Sequence, residues 1–98
     1  MDVFQCDDPI SGQSVQVTLH APFVAQNLGD DYQEVSLLFA DGRRYLTAFW
    51  RRPHAENGHW IEEPGMVIVH DLTPELILAA VKDIVREGSV ELAFEPTD

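Results

Sequence analysis

No lysine or arginine precedes Arg43 in this 98-residue chain, which holds one cysteine and one lysine. A lone Cys6 excludes an internal disulfide, and with no metal-ligand spacing around it there is no secreted disulfide framework to read. No apolar run approaches the ~18 residues of a membrane-spanning helix. The opening MDVFQCDDP lacks the basic and apolar regions of a signal peptide, so a soluble cytoplasmic protein is expected. Also missing are a glycine-rich phosphate loop, G-x-S-x-G, H-E-x-x-H and paired cysteines. On that pattern the chain is not expected to be an enzyme or to hold a metal or cofactor.

What the chain does carry is acid. Seventeen Asp and Glu against six Lys and Arg leave a net charge of −11. Four of the six cations, Arg43, Arg44, Arg51 and Arg52, bracket one short stretch, so the rest of the chain is nearly all negative. Such a field repels nucleic acid and anionic membranes and draws in basic proteins. A length of 98 residues fits one domain, residues 1–98, large enough to bury a core without metal or disulfide.

The strongest local signal lies in residues 34–52, EVSLLFADGRRYLTAFWRR. Asp41-Gly42 separates two runs rich in leucine, aromatic and β-branched residues, which reads as a β-hairpin. With Asp41 and Gly42 as a two-residue type I′ loop, Leu38 faces Tyr45 and Glu34 faces Phe49. Alternation then sends Val35, Leu37, Phe39, Leu46, Ala48 and Trp50 to the core. The opposite face carries Glu34, Leu38, Arg43, Tyr45, Thr47, Phe49 and Arg51, a mixture of aromatic, hydroxyl and guanidinium groups suited to a protein contact.

Elsewhere, Val15, Val17 and Leu19 alternate with Gln16, Thr18 and His20 in a half-buried strand. Residues 2–6 are expected to form an edge strand and 59–62 a short one. Residues 66–69, MVIV, are a continuous apolar run typical of a covered strand. In the connection over 22–32, Phe23, Val24 and Leu28 are expected to tuck onto the core, with Asp30 and Asp31 neutralising Arg51 and Arg52. Thr73 as N-cap, Pro74 at the first helical position and an apolar stripe (Leu76, Ile77, Ala80, Val81, Ile84, Val85) predict a helix over about 74–87, closed by Gly88. Val90, Leu92 and Phe94 alternate with Glu91 and Glu95, predicting a last strand before a frayed tail. The expected fold is α+β: a two-layer sandwich with a mostly antiparallel sheet of about five to six strands and one helix on one face. The sheet's other face would then be open to a partner and would include Leu38, Tyr45 and Phe49.

The candidate partner-binding residues are therefore Leu38, Arg43, Tyr45, Thr47, Phe49 and Arg51, with Asp30, Asp31 and Glu34 as an acidic margin. Two uses fit them: docking a basic protein, or packing sheet to sheet as a homodimer. His54 and His59 with Glu62 and Glu63 offer nitrogen and oxygen ligands to a metal, but the loop spacing imposes no common face and Pro64 turns the chain away, so they read as surface residues. Cys6 reads as a small buried hydrophobe and Asp71 as a turn or capping residue.

The run ADGRRYLTAFW, then a Trp-containing segment, then MVIVHDLTPELILAAVKDIVREGSVELAFEP, resembles small bacterial proteins whose general appearance is similar to the acidic immunity proteins of toxin–immunity systems. The resemblance covers about two-thirds of the chain, and the features that carry it are structural: turn, cap, helix and closing strand. It implies neutralisation of a toxin by binding and assigns no role to any single residue.

Overall fold

The computed structural model describes residues 2–20, 23–24, 31–52 and 59–97. Among these residues the fold is mixed α+β and dominated by one eight-stranded sheet. In chain order the strands are β1 (Asp2–Asp7), β2 (Ser14–Leu19), β3 (Phe23–Val24), β4 (Asp31–Phe39), β5 (Arg44–Arg51), β6 (His59–Glu63) and β7 (Met66–Val69); helix α1 (Pro74–Arg86), the short α2 (Val90–Ala93) and β8 (Glu95–Thr97) follow. The sheet runs β1-β2-β4-β5-β7-β6, with β3 on β4 and β8 on β5. All neighbours are antiparallel except β5 and β7. One edge of β5 serves two strands, since Arg44–Leu46 pair with β8 and Ala48–Arg51 with β7. Among the described residues no helix is long and apolar enough to cross a membrane.

The core lies between the inner face of the sheet and α1. Val15, Val17 and Leu19 of β2, Val35, Leu37 and Phe39 of β4, and Val67 and Val69 of β7 meet Ile77, Ala80, Val81, Ile84 and Val85 of the helix in one buried cluster. Cys6 joins it, and burial pushes its thiol pKa up. The helix ends follow from their residues. The Thr73 hydroxyl accepts the Leu76 N–H at 3.2 Å, satisfying one donor of the first turn. At the other end Gly88, with φ of 72°, lets its own N–H reach the Val85 carbonyl at 3.1 Å and the Ser89 N–H reach Ile84 at 2.9 Å. That pair of bonds is a Schellman closure, which favours glycine because the left-handed residue needs no Cβ. Leu76 is the one member of the expected stripe that is exposed.

The hairpin stands where expected, in a different register. Leu38 pairs with Arg44, Leu37 with Tyr45 and Gln33 with Phe49. The loop is Ala40-Asp41-Gly42: the Phe39 N–H donates to the Arg43 carbonyl and the Gly42 N–H to the Phe39 carbonyl, each at 2.9 Å. Gly42 has φ of 97°, as the left-handed residue closing a three-residue loop requires. Asp41 locks the bend. Its carboxylate accepts the Arg43 N–H at 3.0 Å, and the Gln13 amide group bonds both its carboxylate and its N–H. Those bonds, the Arg43 N–H first, hold the Asp41 carboxyl below the usual carboxylate range.

A one-residue slip turns every side chain of β5 over relative to expectation. Tyr45, Thr47 and Phe49 point inward, and Leu46, Ala48 and Trp50 point outward. Phe49 is fully buried, with its ring 6.5 Å from that of Phe94, and Tyr45 meets Phe39 edge-on at 5.5 Å.

The segment after α1 also departs from expectation. Val90–Ala93 form a helical turn in place of a strand, Leu92 stays exposed, and Glu95 pairs with β5 together with Pro96 and Thr97 of the expected frayed tail. The helical turn aims the Ala93 carbonyl at two donors, the Thr47 hydroxyl at 2.8 Å and the Gly65 N–H at 2.9 Å. A carbonyl at a helix C-terminus has no partner within its helix, and a buried hydroxyl needs one; each supplies the other.

Candidate functional site

The proposed partner-binding residues do not form one surface. Glu34 is exposed and Leu38 half-buried on the outer face of β4. Tyr45, Thr47 and Phe49 lie in the core and not on the expected contact surface: between 0% and 5% of each is exposed. Arg43 is exposed at the hairpin loop, where its guanidinium pairs with Asp41 at 2.8 Å and lies 4.5 Å over the Phe39 ring. Arg51 ends β5, half-buried, on the Phe49 side of the strand. Asp30, Leu28 and His54 lie outside the described residues, as do the side chains of Phe23, Val24 and Asp31. Among the described residues no group of three or more His, Cys, Asp or Glu could hold a metal ion.

Among the described residues the outer face carries no helix, and the strand registers arrange it in rows. Tyr32 pairs with Trp50, Trp50 with Ile68 and Ile68 with Trp60, so one row crosses four strands with three aromatic residues. Tyr32 and Trp50 are stacked, with ring centroids 4.5 Å apart and planes 29° from parallel. Trp60 is 44% exposed and donates its indole N–H to Glu62 at 3.0 Å. The next row is Glu34, Ala48, Met66, Glu63, and the one below it Ser36, Leu46, Glu95. Ser36 bonds His20, the residue after β2, at 2.7 Å on this same face.

Ala48, the smallest side chain of the middle row, leaves a hollow. It is an open groove of about 380 Å³ with Tyr32 and Trp50 as one wall, Leu46, Ala48 and Met66 among its floor residues, and Glu34, Glu63 and Glu95 on its rim. Two features hold it in shape. Gly65, at φ of 90°, lies beneath the Glu95 side chain, where a Cβ would come within 3.2 Å of Glu95 Cδ. From below, Ala48 N–H donates to the Gly65 carbonyl at 3.0 Å, which ties the floor to the Thr47–Ala93–Gly65 bonds. Arg44 opens the β5 stretch and Arg52 follows it, so cations stand at the two ends while carboxylates line the middle.

Sequence reading missed Tyr32, Ala48, Trp50, Trp60, Glu63 and Glu95. The available signal was the loop length at Asp41-Gly42, since a three-residue loop puts Trp50 beside Tyr32 and sends Phe49 inward. Fold and site together define a small mixed α+β domain with an acid-rimmed aromatic groove on the outer face of its sheet. Compared with known proteins, the chain matches no family model, no curated protein and no solved structure.

Proposed function

We propose that this protein acts by binding, docking a basic protein on the outer face of its sheet. One observation carries the reading: three carboxylates, Glu34, Glu63 and Glu95, rim a groove whose wall is the stacked Tyr32–Trp50 pair. Aromatic side chains with apolar bodies anchor protein contacts, while a ring of like charge selects the partner's sign and speeds its approach. The net charge of −11 extends the same preference over long range at low salt. This moves the contact surface from Tyr45 and Phe49 to Tyr32 and Trp50 and keeps the basic partner. The resemblance to acidic immunity proteins points to a toxin as that partner, and the setting we infer is the cytoplasm, where a lone cysteine such as Cys6 stays reduced. Homodimer packing through this face would set carboxylate rim against carboxylate rim, which opposes it.

The test compares the wild-type chain with the triple variant Glu34→Gln, Glu63→Gln, Glu95→Gln as immobilised baits for extracts of the native host. The expected result is a basic protein retained by the wild type at low salt and lost by the variant, with an association rate that falls as salt rises. Equal retention by both baits removes the groove from the reading. A dimer in sedimentation that Trp50→Ala dissociates would decide for self-association.

A further inference from the structure

We infer that the groove around Ala48 is a receptor for a single arginine side chain of the partner. This rests on the outer face being the docking surface and adds which chemical group it reads. A guanidinium is planar, stacks on aromatic rings and offers a fork of N–H donors that pairs two at a time with the two oxygens of a carboxylate. The groove presents both complements together: the Tyr32–Trp50 wall on one side and the carboxylates of Glu34, Glu63 and Glu95 around the rim. An ammonium could use the carboxylates but would gain less from the wall, because it has no plane to stack. A volume of about 380 Å³ falls in the lower part of the range that holds small ligands, so it admits one side chain with its immediate backbone.

Ala48 is the residue that makes room. It stands directly between Glu34 and Met66 in the cross-strand row, and any larger side chain there would occupy the space between wall and rim. The glycine at 65 serves the same end, because a Cβ there would come within 3.2 Å of Glu95 Cδ and push that side chain aside. The arrangement therefore combines a hollow, a stacked aromatic pair and a charge set, contributed by β4, β5, β6, β7, β8 and the turn before β7.

The probe is the capped pentapeptide Gly-Gly-Arg-Gly-Gly, with lysine and citrulline counterparts, titrated while the indole N–H resonances of Trp50 and Trp60 are followed. Citrulline keeps the shape and removes the charge. The arginine peptide should move the Trp50 resonance saturably and bind about tenfold or more tightly than the citrulline peptide, with the lysine peptide between them. Ala48→Phe, an aromatic substitution that a strand accepts, should weaken the arginine peptide about tenfold without lowering the unfolding midpoint. Glu63→Gln should weaken it in the same direction, independently of groove volume. Citrulline binding as well as arginine, or Ala48→Phe binding as well as wild type, overturns the inference. The underlying reading fails separately: a partner that ignores Ala48→Phe but is lost by the triple carboxamide variant keeps the docking face and discards the arginine pocket.

Discussion

Phe49 and Trp50 are neighbours in the chain and differ in almost everything that follows. Phe49 has no exposed surface and packs against Phe94, whereas Trp50 is half-buried and stacks on Tyr32 at the open face. Truncating a fully buried phenylalanine removes its transfer energy and leaves a cavity, so Phe49→Ala should cost about 3–5 kcal/mol. Trp50→Ala gives up an aromatic pair worth about 0.5–1.5 kcal/mol and some half-covered area, and should cost less than about 2 kcal/mol. Urea denaturation of the two variants measures the difference directly. Thr47, between them and the loop, shows why the inward face tolerates a hydroxyl: its proton goes to Ala93, and among the described residues no buried side-chain nitrogen or oxygen lacks a partner. A Trp50→Ala variant less stable than Phe49→Ala would put the wrong face of β5 in the core.

At the scale of elements the decisive feature is the three-residue loop between β4 and β5. Gly42 holds it in a left-handed conformation at φ of 97°, with open space around the position where a Cβ would go. The cost of Gly42→Ala is therefore conformational and not steric crowding, about 1–2 kcal/mol, seen as a lower urea midpoint with an unchanged groove. No loss at all would mean that the bend does not depend on its left-handed residue. The same loop explains what could be read in advance. Asp-Gly between two apolar runs locates a hairpin, but two-residue and three-residue loops both use a glycine with positive φ, and they differ by one step in register. Both β5 faces are rich in apolar side chains, Tyr45 and Phe49 on one and Leu46, Ala48 and Trp50 on the other, so hydrophobicity could not choose between them. Helix α1 was legible to within a residue because cap, proline, stripe and closing glycine all agree. Val90–Phe94 was not, since five residues satisfy an alternating pattern and a single helical turn equally well; the tertiary partner of the Ala93 carbonyl decides. The groove inherits both gaps: its wall depends on the β5 register, and its Glu95 and Gly65 rim depends on where α2 ends.

For the whole molecule, the charge that would attract a basic partner also acts against the chain itself. With a net charge of −11, folding brings like charges closer together than they lie in the unfolded chain. Two of the ion pairs among the described residues, Arg43–Asp41 and Arg86–Asp83, are short-range in sequence and solvent-exposed, and such exposed pairs contribute little to hold that repulsion in check. Salt should therefore move two properties in opposite directions. As sodium chloride rises from about 0.01 M to about 1 M, the Debye length shrinks from roughly 30 Å to roughly 3 Å, and surface charges cease to act on one another. Self-repulsion fades, so the urea midpoint should rise; attraction to a cationic ligand fades too, so an arginine-rich peptide should associate more slowly and bind more weakly. Chloride salts are the right choice, because sulfate would raise stability by exclusion from the surface whatever the charges do. The opposition of the two trends is the informative part. A midpoint that falls with salt would mean that attractive pairs outweigh the excess of acid in the folded chain. Association indifferent to salt would mean that the acidic rim does not steer anything toward the groove.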